Sequence, residues 1–404
     1  DLTDDGQFFK QQKIKELLNS YAAAKGMRFF VTTGNHDPAL PLGMRQKNVH
    51  FLSADGSRVT REDSCAGYVS QMECYADFGF FPRKDDCYWE SPFTSYTYDK
   101  YSYEDACRES VLGKRTYTLC DSLTATDASY LVEPVDGLWL LAIDGGVYLP
   151  KEMKEGKWTY QGSSAGYNLV LKHKPFLLPW VRKVVEEARK RHKTLVAFSH
   201  YPLVDFNDGV SESVRRMWGN RRFDLHRVPE AEVSEAFLQA GLRLHFAGHM
   251  HVNDTGIWEG EDGKHLYNIQ VPSIATYVPA YKILTIESDE VFRVETVTLD
   301  TVPGFDSLFP LYRAEYLSDS LRGHSPVWNK EILSARTYGE FCDYQFRDLV
   351  RLRFIPRDLP ESWRACLDFT GARMLKAVSG EDKSEDADWT GWCMKDLVLD
   401  VYRL

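Results

Sequence analysis

The sequence predicts an α/β fold: a four-layer α/β/β/α sandwich of two mixed sheets, with a small, mainly helical C-terminal domain. Three observations carry this. A helix-spaced segment over 7–25 runs straight into a β-prone stretch, 27–33. Two further β-prone stretches, 194–199 and 242–247, each follow a helical pattern and end in a polar turn holding histidine. That is the α/β rhythm in which ligands gather at the carboxyl ends of strands. Between 254 and 299, four alternating segments read as antiparallel strands that complete a second sheet.

Residues 1–6 form a turn rich in carboxylates. Phe8, Ile14, Leu17, Leu18 and Tyr21 then recur near helical spacing, and Gly26 suits a C-cap. The stretch 27–33 delivers Gly34-Asn35-His36-Asp37, a polar tetrapeptide at a strand end. From about 53 to 128, Tyr, Phe, Asp, Ser and Cys crowd together, as in Cys74-Tyr75-Ala76-Asp77-Phe78. This reads as an insertion whose tyrosines line a substrate cleft or pack as a structural cap; residue by residue, the packed cap is favoured. The core resumes at 130–143 with a hairpin around Pro134-Val135-Asp136-Gly137. Asp144, at its end, either supports a site from behind or makes a local turn.

Over 176–192 the pattern predicts a helix with Trp180, Val181, Val184 and Val185 inward and a basic last turn. Strand 194–199 ends at His200-Tyr201-Pro202. Pro229 opens a helix that Gly241 closes, and strand 242–247 ends at Gly248-His249-Met250-His251. Beyond 300, Pro303, Pro310, Pro326, Pro356 and Pro360 punctuate short helices, including 338–352 and 360–369. The expected domains are therefore 1–300, carrying the insertion, and 301–404.

At 404 residues the chain exceeds one ordinary core, and a 43% hydrophobic share supplies substantial cores. No apolar run approaches the ~20 residues of a membrane helix. A net charge of −10, with acids and bases mixed, argues against a nucleic-acid polymer as partner. Eight cysteines are present without a CxxC pair, which argues against a zinc ribbon. Their even number, with five between 65 and 120, leans towards an exported protein, periplasmic or at the cell surface. The first residue is not Met, so the native start is expected upstream.

The strand ends collect Asp1, Asn35, His36, Asp37, His200, His249 and His251. A carboxylate, an amide oxygen and imidazoles form a mixed N/O set suited to Zn, Mn or Fe. A carboxylate bridging two ions ~3.5–4 Å apart is the arrangement used for phosphate-ester hydrolysis. His36 is the natural general acid, with Asp37 expected to orient its ring.

At these residues the chain resembles the calcineurin-like binuclear metallophosphoesterases. Asp1-Leu2-Thr3-Asp4-Asp5-Gly6 looks like the tail of the family's Gly-Asp-x-x-x-x-Gly motif. Gly34-Asn35-His36-Asp37, Ser199-His200-Tyr201-Pro202 and Gly248-His249-Met250-His251 follow in the family's order, over roughly residues 1–300. The resemblance implies that Asp1 bridges two metals. Asn35, His200 and His249 would hold one ion with it, and His251 would help hold the other. His36 would contact the phosphate and leaving group. It also implies hydrolysis of a small phosphate ester by a metal-bound hydroxide, a phosphodiester such as a nucleotide being favoured over a phosphomonoester.

The stretch 74–81, the hairpin and the helical tail look most like the bacterial cyclic-nucleotide phosphodiesterase-like branch. Asp4 stands where the purple acid phosphatase branch has a tyrosine, and Tyr201 where many relatives have a second histidine. The family's first motif, an Asp-x-His on a strand preceding the Asp1 motif, is not in this sequence. Two divalent ions (Mn, Zn or Fe) are therefore expected in the full-length protein and one or none in this chain, an inert binding module being the non-enzymatic alternative.

Other motifs are weaker. Gly162-Ser163-Ser164-Ala165-Gly166 fits G-x-S-x-G but lacks a buried strand before it. Arg215, Arg216, Arg221 and Arg222 could meet an anionic substrate, although a solvated face is favoured.

Overall fold

The computed structural model describes the chain except residues 5, 38–44, 66, 121–122, 155–156, 162–165, 289–290, 324–327 and 404. Most of the G-x-S-x-G stretch, Asp5 and Pro326 thus lie outside the described residues.

Seven strands form the main sheet, labelled in chain order: β1 (Tyr88–Glu90), β2 (Tyr130–Val135), β3 (Leu138–Ala142), β4 (Thr194–Ser199), β5 (Leu244–Ala247), β6 (Thr255–Glu259) and β7 (His265–Gln270). Their spatial order is β6-β7-β5-β4-β3-β2-β1. The central strands β7, β5, β4 and β3 run parallel, and antiparallel neighbours flank them on both sides. This mixed sheet with flanking helices and a helical C-terminal region is the α/β class that the sequence predicts.

Parallel strands need cover on both faces, and alternation along β2 and β3 provides it. Leu131, Trp139 and Leu141 enter one core with Trp180, Val181, Phe237 and Leu238, from helices Leu177–Lys190 and Ala231–Gln239. Tyr130, Val132 and Ala142 enter a second core with Phe78, Phe80 and Trp89. Ile14 and Leu18 of helix Phe8–Lys25 pack against that second core, whereas Leu17 and Tyr21 of the expected inward face stay exposed. Gly26 closes this helix in the left-handed conformation, φ 64°.

Three expectations are redistributed. The stretch 27–33 forms no strand ladder among the described residues; Val31 N–H donates to Phe78 O and Tyr130 Oη–H donates to Val31 O. Strand β1, inside the expected insertion, is an edge strand of the main sheet, and Tyr75, Phe78 and Phe80 are buried core. The aromatic stretch therefore packs. Of the four segments expected in a second sheet, two are β6 and β7, because their hairpin returns the chain along the open side of β5. The other two, Ala280–Ile286 and Phe292–Thr298, pair as a separate antiparallel ribbon.

After residue 300, helices Phe309–Leu321, Tyr338–Leu349, Gly371–Ser379 and Met394–Arg403 dominate. Val350, Ile355, Leu359, Met394 and Val398 form a small core there, and Phe223 packs against it. Cys74, Cys87, Cys107, Cys120, Cys342, Cys366 and Cys393 are free thiols. Among the described residues, no helix is long and apolar enough to cross a membrane.

Candidate metal centre

Strands β4 and β5 are adjacent and parallel, with Ser199 opposite Ala247. The residues just past their ends therefore share one rim, and Gly248 N–H donates to His200 O at 3.0 Å. The result is a tight cluster. His200 Nε2 lies 2.9 Å from Asn35 Oδ1, 2.9 Å from His249 Nδ1 and 3.4 Å from Asp1 Oδ2.

These contacts cannot all be ordinary hydrogen bonds. An amide oxygen and a carboxylate offer lone pairs only, and a ring nitrogen carries at most one proton. Burial holds both imidazoles well below the usual histidine range, which keeps them neutral. A cation resolves the crowding. Two donors bonded to one ion at about 2.1 Å and at a right angle stand about 3.0 Å apart. The donor set thus fits a divalent ion that accepts nitrogen and oxygen together. Among the described residues, no group of three or more His, Cys, Asp and Glu side chains is arranged to hold a metal. The compact trio here includes an amide oxygen, and Asp1 stands further off.

His249 and His251 both have left-handed backbone, φ 65° and 59°, which non-glycine residues seldom adopt. Such conformations persist only where the surroundings hold them. His251 is exposed, yet desolvation of its ring and then nearby positive charge lower its pKa to about 4. Among the described residues no hydrogen bond joins that ring to Asp1, Asn35, His200 or His249. It shares their rim and stands apart from the trio.

The Gly34-Asn35-His36-Asp37 turn grips Asp1 by its backbone. His36 N–H donates to Asp1 Oδ1 at 2.8 Å. Only glycine fits at 34, since a Cβ there would lie 1.9 Å from Asp1 Oδ1.

Asp37 corrects one expectation. Its carboxylate is fully buried and accepts from Leu2 N–H at 2.8 Å, Thr3 N–H at 2.9 Å and Thr3 Oγ1 at 3.1 Å. It stitches residues 1–3 to the turn rather than orienting His36, because a buried carboxylate is satisfied best by main-chain donors. The ring contact falls to Asp4, whose Oδ1 lies 3.0 Å from His36 Nδ1. The His36 side chain is 53% exposed and free to meet a ligand.

Behind the turn, Thr33 Oγ1 donates to Asp144 Oδ1 at 3.3 Å, and Tyr68 Oη–H donates to the same oxygen at 3.1 Å. Lys174 Nζ sits 2.8 Å from both Asp144 Oδ2 and Asp127 Oδ2, all three side chains being buried. Asp144 also accepts Gly146 N–H, so it supports the strand end and closes a local turn at once. Lys174 and Asp127 left no mark in the sequence, because neither lies at a recognisable motif.

Of the expected basic group, Arg215 is engaged by Glu212 and Asn220, and Arg222 donates to Asp358 O. Burial, and after it the charge of Arg227, holds His249 and His251 down. Sequence reasoning missed that arginine.

No protein-family model and no curated protein matches the chain. Among solved structures it is similar to a dimetal phosphatase from Danio rerio, at 14% identity and a TM-score of 0.24. The match covers 43% of this chain and 60% of that one. At this likeness, the reading of the site rests on its own geometry.

Proposed function

We propose that this chain is a metal-dependent phosphoesterase of the calcineurin-like kind, acting on a small phosphodiester such as a nucleotide. The observation that carries the reading is the convergence of Asn35 Oδ1 and His249 Nδ1 on His200 Nε2, each at 2.9 Å, with the Asp1 carboxylate alongside. Asn35, His200, His249 and Asp1 would hold one ion, and Asp1 with His251 would contribute to a second. Divalent ions bound there supply neutralisation of phosphate oxygens and a nucleophile at neutral pH.

The chain's own residues do the rest. Asp37 fixes residues 1–3, and hence Asp1, against the turn. Gly34 keeps the space that the Asp1 carboxylate fills. His36, with Nδ1 held by Asp4, keeps its other ring nitrogen for proton transfer to the leaving oxygen. The preference for a cyclic-nucleotide-type diester is the finest part of this proposal, and it rests on the sequence resemblance.

The test is hydrolysis of bis(4-nitrophenyl) phosphate and of 4-nitrophenyl phosphate with Mn or Zn added, comparing wild type with His36→Ala. Metal-dependent diester cleavage that falls in the variant supports the proposal. Monoester cleavage alone moves the substrate class. A chain that binds metal yet cleaves neither ester is a binding module, and the enzymatic reading fails.

A further inference from the structure

Strands β4, β5 and β7 lie side by side and parallel, with Ala197 opposite His245 and His245 opposite Asn268. Ser199, His245 and Asn268 therefore project from one face of the sheet, the face that carries Ala197 and Leu266 into the first core. Ser199 is 5% exposed, and the other two are fully buried. Polar side chains in such a place are costly unless they are bonded. These are bonded to one another and to the turn that carries His200.

Ser199 Oγ–H donates to Tyr201 O at 2.7 Å, and the same oxygen lies 3.0 Å from His245 Nε2. His245 Nδ1 lies 2.8 Å from Asn268 Oδ1, which also accepts Leu203 N–H at 2.9 Å. An amide oxygen only accepts, so Nδ1 carries the proton of the neutral ring and Nε2 meets the serine as an acceptor. Ser234, on helix Ala231–Gln239, donates its Oγ–H to Leu203 O at 2.7 Å. Gly248 N–H holds His200 O, so His200 O, Tyr201 O, Leu203 N and Leu203 O are all engaged. The Tyr201 ring then stands edge-on to both imidazoles, 4.9 Å from His200 at 80° and 4.8 Å from His249 at 64°.

We infer that Asn268, His245 and Ser199 are positioning residues of the metal centre, fixing the 199–203 turn so that His200 Nε2 faces Asn35 Oδ1 and His249 Nδ1. The inference deepens the metal-centre reading above and rests on it. None of these residues would touch the ion. They act through the main chain that flanks the ligand, and a ligand whose support is removed binds its metal less tightly.

The experiment uses the full chain with Mn alone as probe, affinity being read by titration calorimetry and folding by urea unfolding. Ser199→Ala and Asn268→Leu are each expected to weaken Mn binding on the order of 10- to 100-fold, the range for losing a group that orients a metal ligand. Ser199→Thr keeps the hydroxyl and should retain most of the affinity. Ser199→Ala removes only the hydroxyl oxygen and covers the case in which Asn268→Leu fails to fold. Excess Mn should restore hydrolysis of bis(4-nitrophenyl) phosphate in Ser199→Ala, because that variant loses metal occupancy and keeps the residues that contact substrate.

Wild-type Mn affinity in folded Ser199→Ala and Asn268→Leu overturns the inference and leaves the phosphoesterase reading standing. Lower stability with unchanged affinity has the same meaning, since the network then serves the core alone. Equal losses in Ser199→Ala and Ser199→Thr overturn the part given to the hydroxyl. Weakened Mn binding by the variants of a chain that cleaves neither ester supports the positioning and removes the enzyme. A wild-type chain that binds no Mn overturns both readings.

Discussion

A Cβ atom on Gly34 would lie 1.9 Å from Asp1 Oδ1, so the turn that presents Asn35 and His36 is shaped around the Asp1 carboxylate. Gly34→Ala must therefore move that carboxylate. Overpacking of this kind costs about 1–3 kcal/mol. The expected outcome is a modest loss of stability in urea with a drop in Mn affinity of at least ~10-fold, the size of loss seen when groups supporting a metal ligand are removed. Titration calorimetry reads it. Wild-type affinity in the alanine variant would show that Asp1 holds no ion.

If Asn35, His200 and His249 share one ion, metal binding adds stability by mass action. At a free concentration one hundred times Kd the gain is about 2.7 kcal/mol. Thermal unfolding of the wild type should rise with Mn or Zn and fall back with chelator. Asn35→Ala and His200→Ala should each abolish the rise.

His36 is proposed as the proton donor to the leaving oxygen, and such help matters most for poor leaving groups. His36→Ala should cost more with an alkyl phosphodiester than with an activated aryl one, by at least ~10-fold in kcat/KM, since general acid catalysis contributes about 100- to 10,000-fold. Equal losses with both substrates would assign His36 to binding alone.

Lys174 sits between Asp127 and Asp144 with none of the three side chains accessible to solvent. Lys174→Met leaves two buried carboxylates without their cation, and breaking such a pair costs about 3–5 kcal/mol. Urea unfolding should show a loss of that size. A change under ~1 kcal/mol would mean the network relaxes or admits water.

His245 is fully buried, with Nδ1 2.8 Å from Asn268 Oδ1 and Nε2 3.0 Å from Ser199 Oγ, and burial lowers its pKa to about 4. The folded form keeps the ring neutral while the unfolded chain protonates it below its ordinary value of 6.5. Its contribution is intact above pH ~6.5 and drains away as pH falls towards ~4, on the order of 3 kcal/mol in all. Stability measured from pH 7 to 4 should fall less steeply in His245→Gln than in wild type. Parallel profiles would sink this assignment.

Much of the layout was legible. Period-2 alternation and helix-spaced runs located β2 to β5 and the helices packed on them, and the histidine-bearing turns after β4 and β5 lay where those predicted strands stopped. The partners inside the turns were not legible. Asp37 and Asp4 are both acids near His36, and only the path of the backbone decides which faces the ring and which faces the main-chain N–H groups of residues 2 and 3. Arg227 escaped notice because no local pattern marks a single arginine whose charge reaches His249 and His251 only in the packed chain. The edge role of β1 was hidden for a similar reason, since three residues carry too little periodicity to announce a strand.

By itself the sequence determined the α/β class and the order in which Asn35, His36, His200, His249 and His251 arrive at the ends of buried segments. Local periodicity and turn chemistry encode those features, and both act over a few residues. Tertiary structure alone decided that Asn35 and His249 both approach His200 within hydrogen-bond distance and that Asp4 rather than Asp37 meets His36. Those relations depend on strand order and on contacts between distant segments, and no stretch of chain carries them until the whole is packed.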